Sequence, residues 1–275
     1  MSSRLRIQAF IESEVGCTDV EKWKSYSAQF KSFAVTEHNK ATLRTLLAED
    51  TENLYFKAIL SIAEALDALN RGLHSWAVVK LYYSVFYLLR CSMAAKDLCF
   101  VKSSGIYTLK LKTGEVPVKR DGGIRNGEQV RGDHKTVIAT YIKEFGHNDI
   151  FLSNHIEENI PVYDWIMKRR EDVNYRNVSF QEPDESIFNS KLFKNPLLST
   201  QIDEYFNNII YCFMEDHCCL ALPIRLAERT AGELRSAFNT IPFTEKKMQV
   251  IESLIGPAAL SENKNIRNIL LLENP

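Results

Sequence analysis

The segment WAVVKLYYSVFYLLRCSMAAKDL, residues 76–98, constrains the fold of this chain most strongly. On a helix its apolar residues cover almost every side, and a helix of that kind lies in the centre of a protein with neighbours around it. Its longest apolar run, residues 81–89, is far shorter than the roughly 20 residues that cross a membrane. The segment therefore predicts the central helix of an all-α protein, with Tyr83 and Phe86 in the core.

Apolar residues at intervals of three and four predict further helices on both sides of this segment. The spacing from Ile59 to Leu69 predicts a helix from about residue 41 to Gly72, where a glycine suits the end. Another helix is predicted between Asp133, a candidate N-cap, and Gly146. Later helices are predicted from Pro161 onward, over 198–222 with Pro223 as the end, over 244–256 with Thr244 as the cap, and over 262–272.

The middle of the chain differs in composition, since six of the eleven glycines lie between residues 105 and 132. The alternating YTLKL, the turn TG and the following EVPV predict a β-hairpin over about 105–119 that projects from the helices. Pro117 limits its second strand to a sheet edge. The stretch KRDGGIRNGEQVRG then predicts a mobile loop, so we expect an inserted hairpin and loop at about 103–133.

Basic side chains gather at the end of this insertion, where the next helix begins. Eight Lys/Arg and only four Asp/Glu lie between residues 102 and 135. Because amide donors and the helix dipole favour anions at a helix start, one prediction is a patch that binds phosphate or RNA. The alternative is a solvated basic loop. The candidate residues of the patch are Arg120, Arg125, Arg131, His134 and Lys135.

The charged segment WIMKRREDVNYRN, residues 165–177, continues an apolar helical stripe. With 100° of rotation per residue, Arg169 lies in the middle of the apolar face, which predicts a buried stem and a carboxylate partner on a neighbouring helix. Arg170 lies at the edge of that face, in a strip with Tyr163, Met167 and Asn174. A guanidinium and an amide four residues apart suit a phosphate or carboxylate, so Arg170 and Asn174 are predicted to bind RNA or a partner. The alternative is a salt-bridged, solvated helix end anchored by Tyr175.

Three blocks, in this order, resemble the HEPN superfamily of helical bundles found in bacterial toxins, defence systems and RNA-cleaving enzymes. The blocks are EALDALNRGLHSWAVVKLYYSVFYLLRCSMAAKDL, DHKTVIATYIKEF and KRREDVNYRN. The resemblance implies a HEPN-like helical bundle over 55–225, which the helix predicted at 198–222 would close. Residues 1–54 then form an N-terminal helical extension, and residues 226–275 form a C-terminal helical tail.

Catalytic HEPN proteins share an Arg-x4–6-His motif that cleaves RNA without metal, usually across a homodimer interface. Here Asn174 and Tyr175 stand where the His that follows Arg170 would fall, and neither titrates near neutral pH. The resemblance thus predicts a subunit of a bacterial defence or toxin-type system that binds a protein partner or RNA through an inactive ribonuclease site. The alternative is an active, metal-independent endoribonuclease that works as a dimer, with Arg170 stabilising charge and His134, His155 or Tyr175 moving protons.

The net charge and the cysteines indicate which partners and which cellular compartment suit the chain. A net charge of −1 gives no overall field towards nucleic acid or membrane. The six cysteines lack CxxC spacing and no signal peptide opens the chain, which favours reduced thiols and a cytoplasmic location. The EDHCC run at 215–219 does not suit zinc, because adjacent cysteines on a helix diverge by about 100°. We expect no metal, no cofactor and no membrane association, and a homo-oligomer or a subunit of a hetero-complex.

Overall fold

The computed structural model describes residues 4–17, 19–176, 187–189, 192, 197–239, 243–256, 260 and 262–270; for residues 20, 175, 176 and 197 it describes the backbone alone. The described part of the chain is mostly helical, as the sequence predicts. Its α-helices are α1 (Arg6–Glu14), α2 (Ser27–Ser32), α3 (Lys40–Asn70), α4 (His74–Ala94), α5 (Gly132–Phe145), α6 (Val162–Glu171), α7 (Leu197–Asn207), α8 (Glu215–Phe238), α9 (Glu245–Ile255) and α10 (Lys264–Leu270).

Helix α4 is the central helix of the fold. Helix α3 runs along it, and α5, α6 and α8 pack around it, so that side chains such as Tyr82 are fully buried. The helix ends at Ala94, earlier than predicted, because Asp97 takes a positive φ of 58° and turns the chain into a strand. The prediction that Phe86 lies in the core is confirmed, since its exposure is 6%, whereas Tyr83 is half-buried.

Short antiparallel strands follow α4. They are β1 (Leu98–Lys102), β2 (Ile106–Lys110), β3 (Val118–Lys119), β4 (Ile124–Arg125), β5 (Glu128–Gln129), β6 (His155–Glu157) and β7 (Ile160–Pro161). The predicted hairpin is present as β2 and β3, in which Thr108 pairs with Val118. β3 is an edge strand, as Pro117 requires. β1 is not predicted from the sequence, where its first residue, Leu98, falls at the end of the predicted central helix.

The sheet β1–β2–β3 does not project from the helices, which corrects the prediction. Phe100 and Ile106, on one face, join the main core around α4. Val101 and Tyr107, on the other face, pack in a second core with α1, α2 and the start of α3. The ring of Phe30 meets that of Tyr107 edge to face, with 5.1 Å between the ring centroids. Because both faces of β1 and β2 are apolar, the N-terminal helices cover the sheet.

The glycine-rich segment forms a second small hairpin where a mobile loop was predicted. β4 and β5 pair Arg125 with Glu128, and Asn126 and Gly127 between them both have positive φ angles, of 52° and 76°. Two positive φ angles are typical of the type I′ turn that closes tight hairpins. The Asn-Gly pair is the sequence signal for this turn, and it contradicts the predicted mobile loop.

The single long helix predicted over 198–222 is divided, and Pro223 lies inside α8 rather than at a helix end. Asn208 takes an extended conformation and its side chain caps the 3-10 turn Ile209–Phe213, which separates α7 from α8. A proline within a helix costs about 3 kcal/mol. Leu220, Leu222 and Leu226 around it are fully buried, and each such side chain contributes about 1.5–3 kcal/mol, so packing outweighs the cost.

The predicted limits of the bundle do not coincide with ends of structural elements. The limit at 54/55 falls within α3 and the limit at 225/226 within α8. Ile251 of α9 and Ile266 of α10 belong to the same core as α4, so residues beyond 226 add to that core. None of the helices in the described ranges is both long enough and apolar enough to cross a membrane.

Candidate functional site

Side chains from the three sequence blocks meet at one place beside α4. Tyr82 and Tyr83 come from α4, His134 from the start of α5, and Arg170 from the end of α6. The Tyr82 hydroxyl and Nδ1 of His134 share a hydrogen bond of 2.8 Å. The guanidinium of Arg170 lies over both tyrosine rings, 5.4 Å from the centroid of Tyr82 and 5.8 Å from that of Tyr83. We call these four residues the motif cluster.

The local structure explains why these side chains converge. Gly132 takes a φ of 74°, which turns the chain out of the glycine-rich hairpin and starts α5 against α4. The start of α5 is two residues earlier than predicted, because Arg131 occupies the N-cap position, without a side-chain cap, and Asp133 lies in the first turn. His134 thereby packs on α4, with its ring 4.5 Å from that of Phe86 between centroids.

The cluster combines the cation of Arg170 with three aromatic side chains, two of which have shifted pKa values. Burial lowers the pKa of His134, and the positive charge of Arg170 lowers it further, so the imidazole is neutral near pH 7. Burial raises the pKa of Tyr82, so its hydroxyl stays protonated. A guanidinium can hold a phosphate, and a neutral imidazole next to it can accept a proton from a nearby hydroxyl.

Arg169 has carboxylate partners on neighbouring elements, as predicted. It forms ion pairs with Glu157 of β6, at 3.3 Å, and with Glu215 at the start of α8. Its guanidinium also lies 4.8 Å from the ring centroid of Trp165, which is fully buried. Because Lys168 and other donors around Glu157 hydrogen-bond to it, the pKa of Glu157 is lowered and the carboxylate stays ionised. Arg169 therefore ties α6 to β6 and α8.

The environment of Arg170 differs from the predicted helix edge. Tyr163 and Met167, the other members of its strip, are buried, and Arg170 itself is half-buried against α4. The α-helix ends at Glu171 and a π-helix continues over Asp172–Arg176. A π-helix closes its bonds over five residues, so the rotation of 100° per residue used for the sequence does not apply beyond Glu171. Asn174 is exposed, and the side chain of Tyr175 lies outside the described residues.

The predicted basic patch is largely neutralised by carboxylates. Arg120 pairs with Glu144 at 2.6 Å, Arg125 pairs with Asp164 through two hydrogen bonds of 2.8 and 2.5 Å, and Lys135 pairs with Glu128 at 2.5 Å. Arg131 is exposed at the start of α5. His134 is the one member of the patch in the motif cluster. His155, an alternative proton carrier, is exposed on β6, the strand that supplies Glu157 to Arg169.

A buried network that the sequence analysis missed supports the far side of α5 and α6. Asp149 accepts hydrogen bonds of 2.5 Å from Arg229 of α8 and from the hydroxyl of Tyr163, and one of 3.0 Å from the amide of Phe151. Arg229 also bonds the Tyr141 hydroxyl at 2.8 Å. Burial alone would lower the pKa of Arg229, but Tyr163, Tyr141 and Asp149 raise it. No local sequence motif predicts this network, because its residues are far apart in the sequence.

Cys218 and Cys219 are buried, and burial raises the pKa of both thiols. His217 beside them shares a hydrogen bond of 3.0 Å with the hydroxyl of Tyr205. Among the residues that the structure describes, no group of three or more His, Cys, Asp or Glu side chains could hold a metal ion.

Comparison of the chain with protein-family models, with curated proteins and with solved structures finds no match.

Proposed function

We propose that this chain is a HEPN-like helical subunit of a bacterial defence or toxin-type system, and that its motif cluster binds a phosphate group of RNA. The proposal rests on the convergence of Tyr82, His134 and Arg170, which come from the three blocks that resemble the HEPN superfamily. Side chains from three separate helices thus converge around one half-buried arginine.

The chemistry of the cluster favours an anion with neighbouring hydroxyl groups. A guanidinium presents a planar set of donors that matches a phosphate. The two tyrosine rings against Arg170 limit its side-chain freedom, so less entropy is lost when a ligand binds. The neutral imidazole of His134 can hydrogen-bond a ribose hydroxyl, a group that distinguishes RNA from DNA.

Of the two functions, we favour a protein that binds RNA and has lost ribonuclease activity. The motif's His would fall at Asn174 or Tyr175, and neither side chain gains or loses a proton near neutral pH. The protein would then hold RNA, or an RNA-bound partner, without cleaving it, in a homo-oligomer or a hetero-complex in the cytoplasm.

One observation favours the alternative of an active, metal-independent endoribonuclease. His134 reaches the cluster from α5 and lies beside Arg170, although it is outside the sequence motif. A neutral imidazole there could accept the proton of a ribose 2′-hydroxyl while Arg170 stabilises the charge that develops on the phosphate.

Binding and cleavage of RNA can be measured on the same preparation. The purified chain is titrated into a short fluorescein-labelled single-stranded RNA in EDTA, and the anisotropy and the length of the RNA are recorded. We expect binding without cleavage, and Arg170→Ala should weaken binding by about tenfold or more, because a hydrogen bond to a charged group contributes about 1.5–3 kcal/mol.

Arg71→Ala is the matched control. Arg71 is exposed at the end of α3, and within the described residues its one ion pair is with Asp67 of the same helix. Equal affinities for the Arg170→Ala and Arg71→Ala variants would contradict the binding proposal. Cleavage by the wild type that is lost in a folded His134→Asn variant would establish the enzyme instead.

A further inference from the structure

A cavity of about 680 Å³ opens next to the motif cluster, between the N-terminal segment, α3, α4, the sheet and the start of α5. Cavities of about 300–1,000 Å³ are the size of small-molecule sites. His134 and Tyr83 line both the cavity and the cluster. The cavity also extends away from the cluster, since Arg90 of α4 lines it one helical turn beyond Phe86 and two turns beyond Tyr83.

The walls of the cavity carry flat apolar surfaces. Besides Leu54, Ile106 and Val137, its lining includes the rings of Trp23, Tyr83, Phe86, Tyr87 and Phe100. Rings of this kind bury the flat body of a ligand efficiently, because each offers a large rigid contact area.

The charges around the cavity do not cancel. Four cationic side chains line it, and two of them have carboxylate partners at the cavity wall: Arg4 pairs with Glu12, and Lys102 pairs with Asp133 at 2.5 Å. The two that remain are Arg90 and Lys57, whose ammonium lies 6.0 Å from the ring centroid of Tyr87. The cavity therefore has an excess of positive charge.

Arg90 supplies part of this excess positive charge. Its guanidinium lies between two rings, 5.9 Å from the centroid of Phe86 and 5.8 Å from that of Phe100. Its Nε atom is buried and has no hydrogen-bond partner, and no ion pair of Arg90 occurs in the part of the chain that the structure describes. Burial lowers the pKa of Arg90, yet an arginine remains charged at any physiological pH.

The carboxylates whose charge reaches Arg90 are engaged elsewhere. Asp50 accepts hydrogen bonds from the backbone amides of Arg6 and Ile7, at 2.8 and 3.0 Å, and so holds the start of α1. Asp133 is paired with Lys102. A half-buried cation without a counter-ion is unfavourable, so an anion that enters the cavity gains an uncompensated partner.

We propose that this cavity binds a small organic anion with a flat apolar body, whose acidic group pairs with Arg90 while the body packs between the rings of α4 and Phe100. This inference is independent of RNA binding, because Arg90 and Phe100, the two residues that carry it, lie outside the motif cluster.

Two dyes that share a ring system test the proposal. Anilinonaphthalene sulfonate carries one negative charge, and N-phenyl-naphthylamine is its uncharged counterpart; both become fluorescent in apolar sites. Each is titrated into the wild type, Arg90→Met and the control Arg71→Met, with circular dichroism as the check of folding. We expect Arg90→Met to weaken sulfonate binding by about tenfold or more and to leave naphthylamine binding unchanged. Equal sulfonate affinities in Arg90→Met and Arg71→Met, or no sulfonate binding by the folded wild type, would overturn the proposal.

If Arg90→Met folds poorly, a measurement on the wild type still tests the proposal. His134 lines the cavity, whereas His217 is buried between the rings of Tyr205 and Tyr211. Addition of the sulfonate dye should shift the imidazole NMR signals of His134 and leave those of His217 in place. A bound dye that moves neither signal, or both equally, would place it elsewhere and refute the site.

Discussion

Replacement of Asp149 by alanine is the sharpest test of how this fold is held together. The carboxylate lies where the 3-10 turn after α5 meets α6 and α8, and its side chain is 1% exposed. It accepts three hydrogen bonds, from Arg229, from Tyr163 and from the amide of Phe151. Its removal leaves a guanidinium and a hydroxyl in the interior without their acceptor.

The magnitude follows from these partners. Breaking a buried ion pair by removing one member costs about 3–5 kcal/mol, because the other charge remains desolvated. A buried donor without an acceptor costs about 1–3 kcal/mol, and the losses at Arg229 and Tyr163 overlap, since both face the same carboxylate. Asp149→Ala should therefore lower the free energy of unfolding by about 3–5 kcal/mol. The exposed pair of Arg71 and Asp67 should contribute less than about 1 kcal/mol.

Urea unfolding followed by circular dichroism measures this difference for the wild type, Asp149→Ala, Arg229→Met and the double variant. The double variant should be less destabilised than the sum of the single variants, because Arg229→Met removes the charge that Asp149→Ala leaves unpaired. A loss below about 1 kcal/mol for Asp149→Ala, or strict additivity, would refute the buried network.

Three further outcomes follow from the structure. Phe86→Ala should cost about 3–5 kcal/mol in urea unfolding, as for other large buried rings, and a loss below about 1 kcal/mol would mean that α4 is not central. Arg169→Ala should cost about 1 kcal/mol, since it removes two part-exposed ion pairs and the contact with Trp165; a variant as stable as the wild type would argue against this. The free energy of unfolding should fall as the pH drops from 7.5 to 5.5. The pKa values of His134 and His217 are lowered in the folded state, so the unfolded chain takes up protons first. A urea midpoint that does not change with pH in this window would contradict this.

Periodicity and turn residues predicted the helical elements well where local signals and packing agree. The central helix, the end of α3 at Gly72 and the Thr244 cap of α9 follow from apolar spacing, a glycine with positive φ and a side-chain oxygen. The carboxylate partners of Arg169 were also expected, because an arginine in the middle of an apolar face needs counter-charges.

Other features depend on packing that the sequence does not display. Pro223 stays within α8 because the surrounding core outweighs the lost hydrogen bond, which no local rule can weigh. Rotation by 100° per residue does not apply after Glu171, where the π-helix begins, and apolar spacing gives no sign of this change. The bond between Tyr82 and His134 joins α4 to α5 across a sheet and a hairpin, and it requires the relative placement of two helices.

The salt dependence of RNA binding tests most directly whether Arg170 contacts a phosphate. Each phosphate that a cation neutralises on single-stranded nucleic acid changes the slope of log K against log salt by about 0.7. The slope for Arg170→Ala should therefore be shallower than that of the wild type by about this amount, while Arg71→Ala keeps the wild-type slope. A folded Arg170→Ala variant with the wild-type affinity and slope would show that RNA does not bind at the motif cluster.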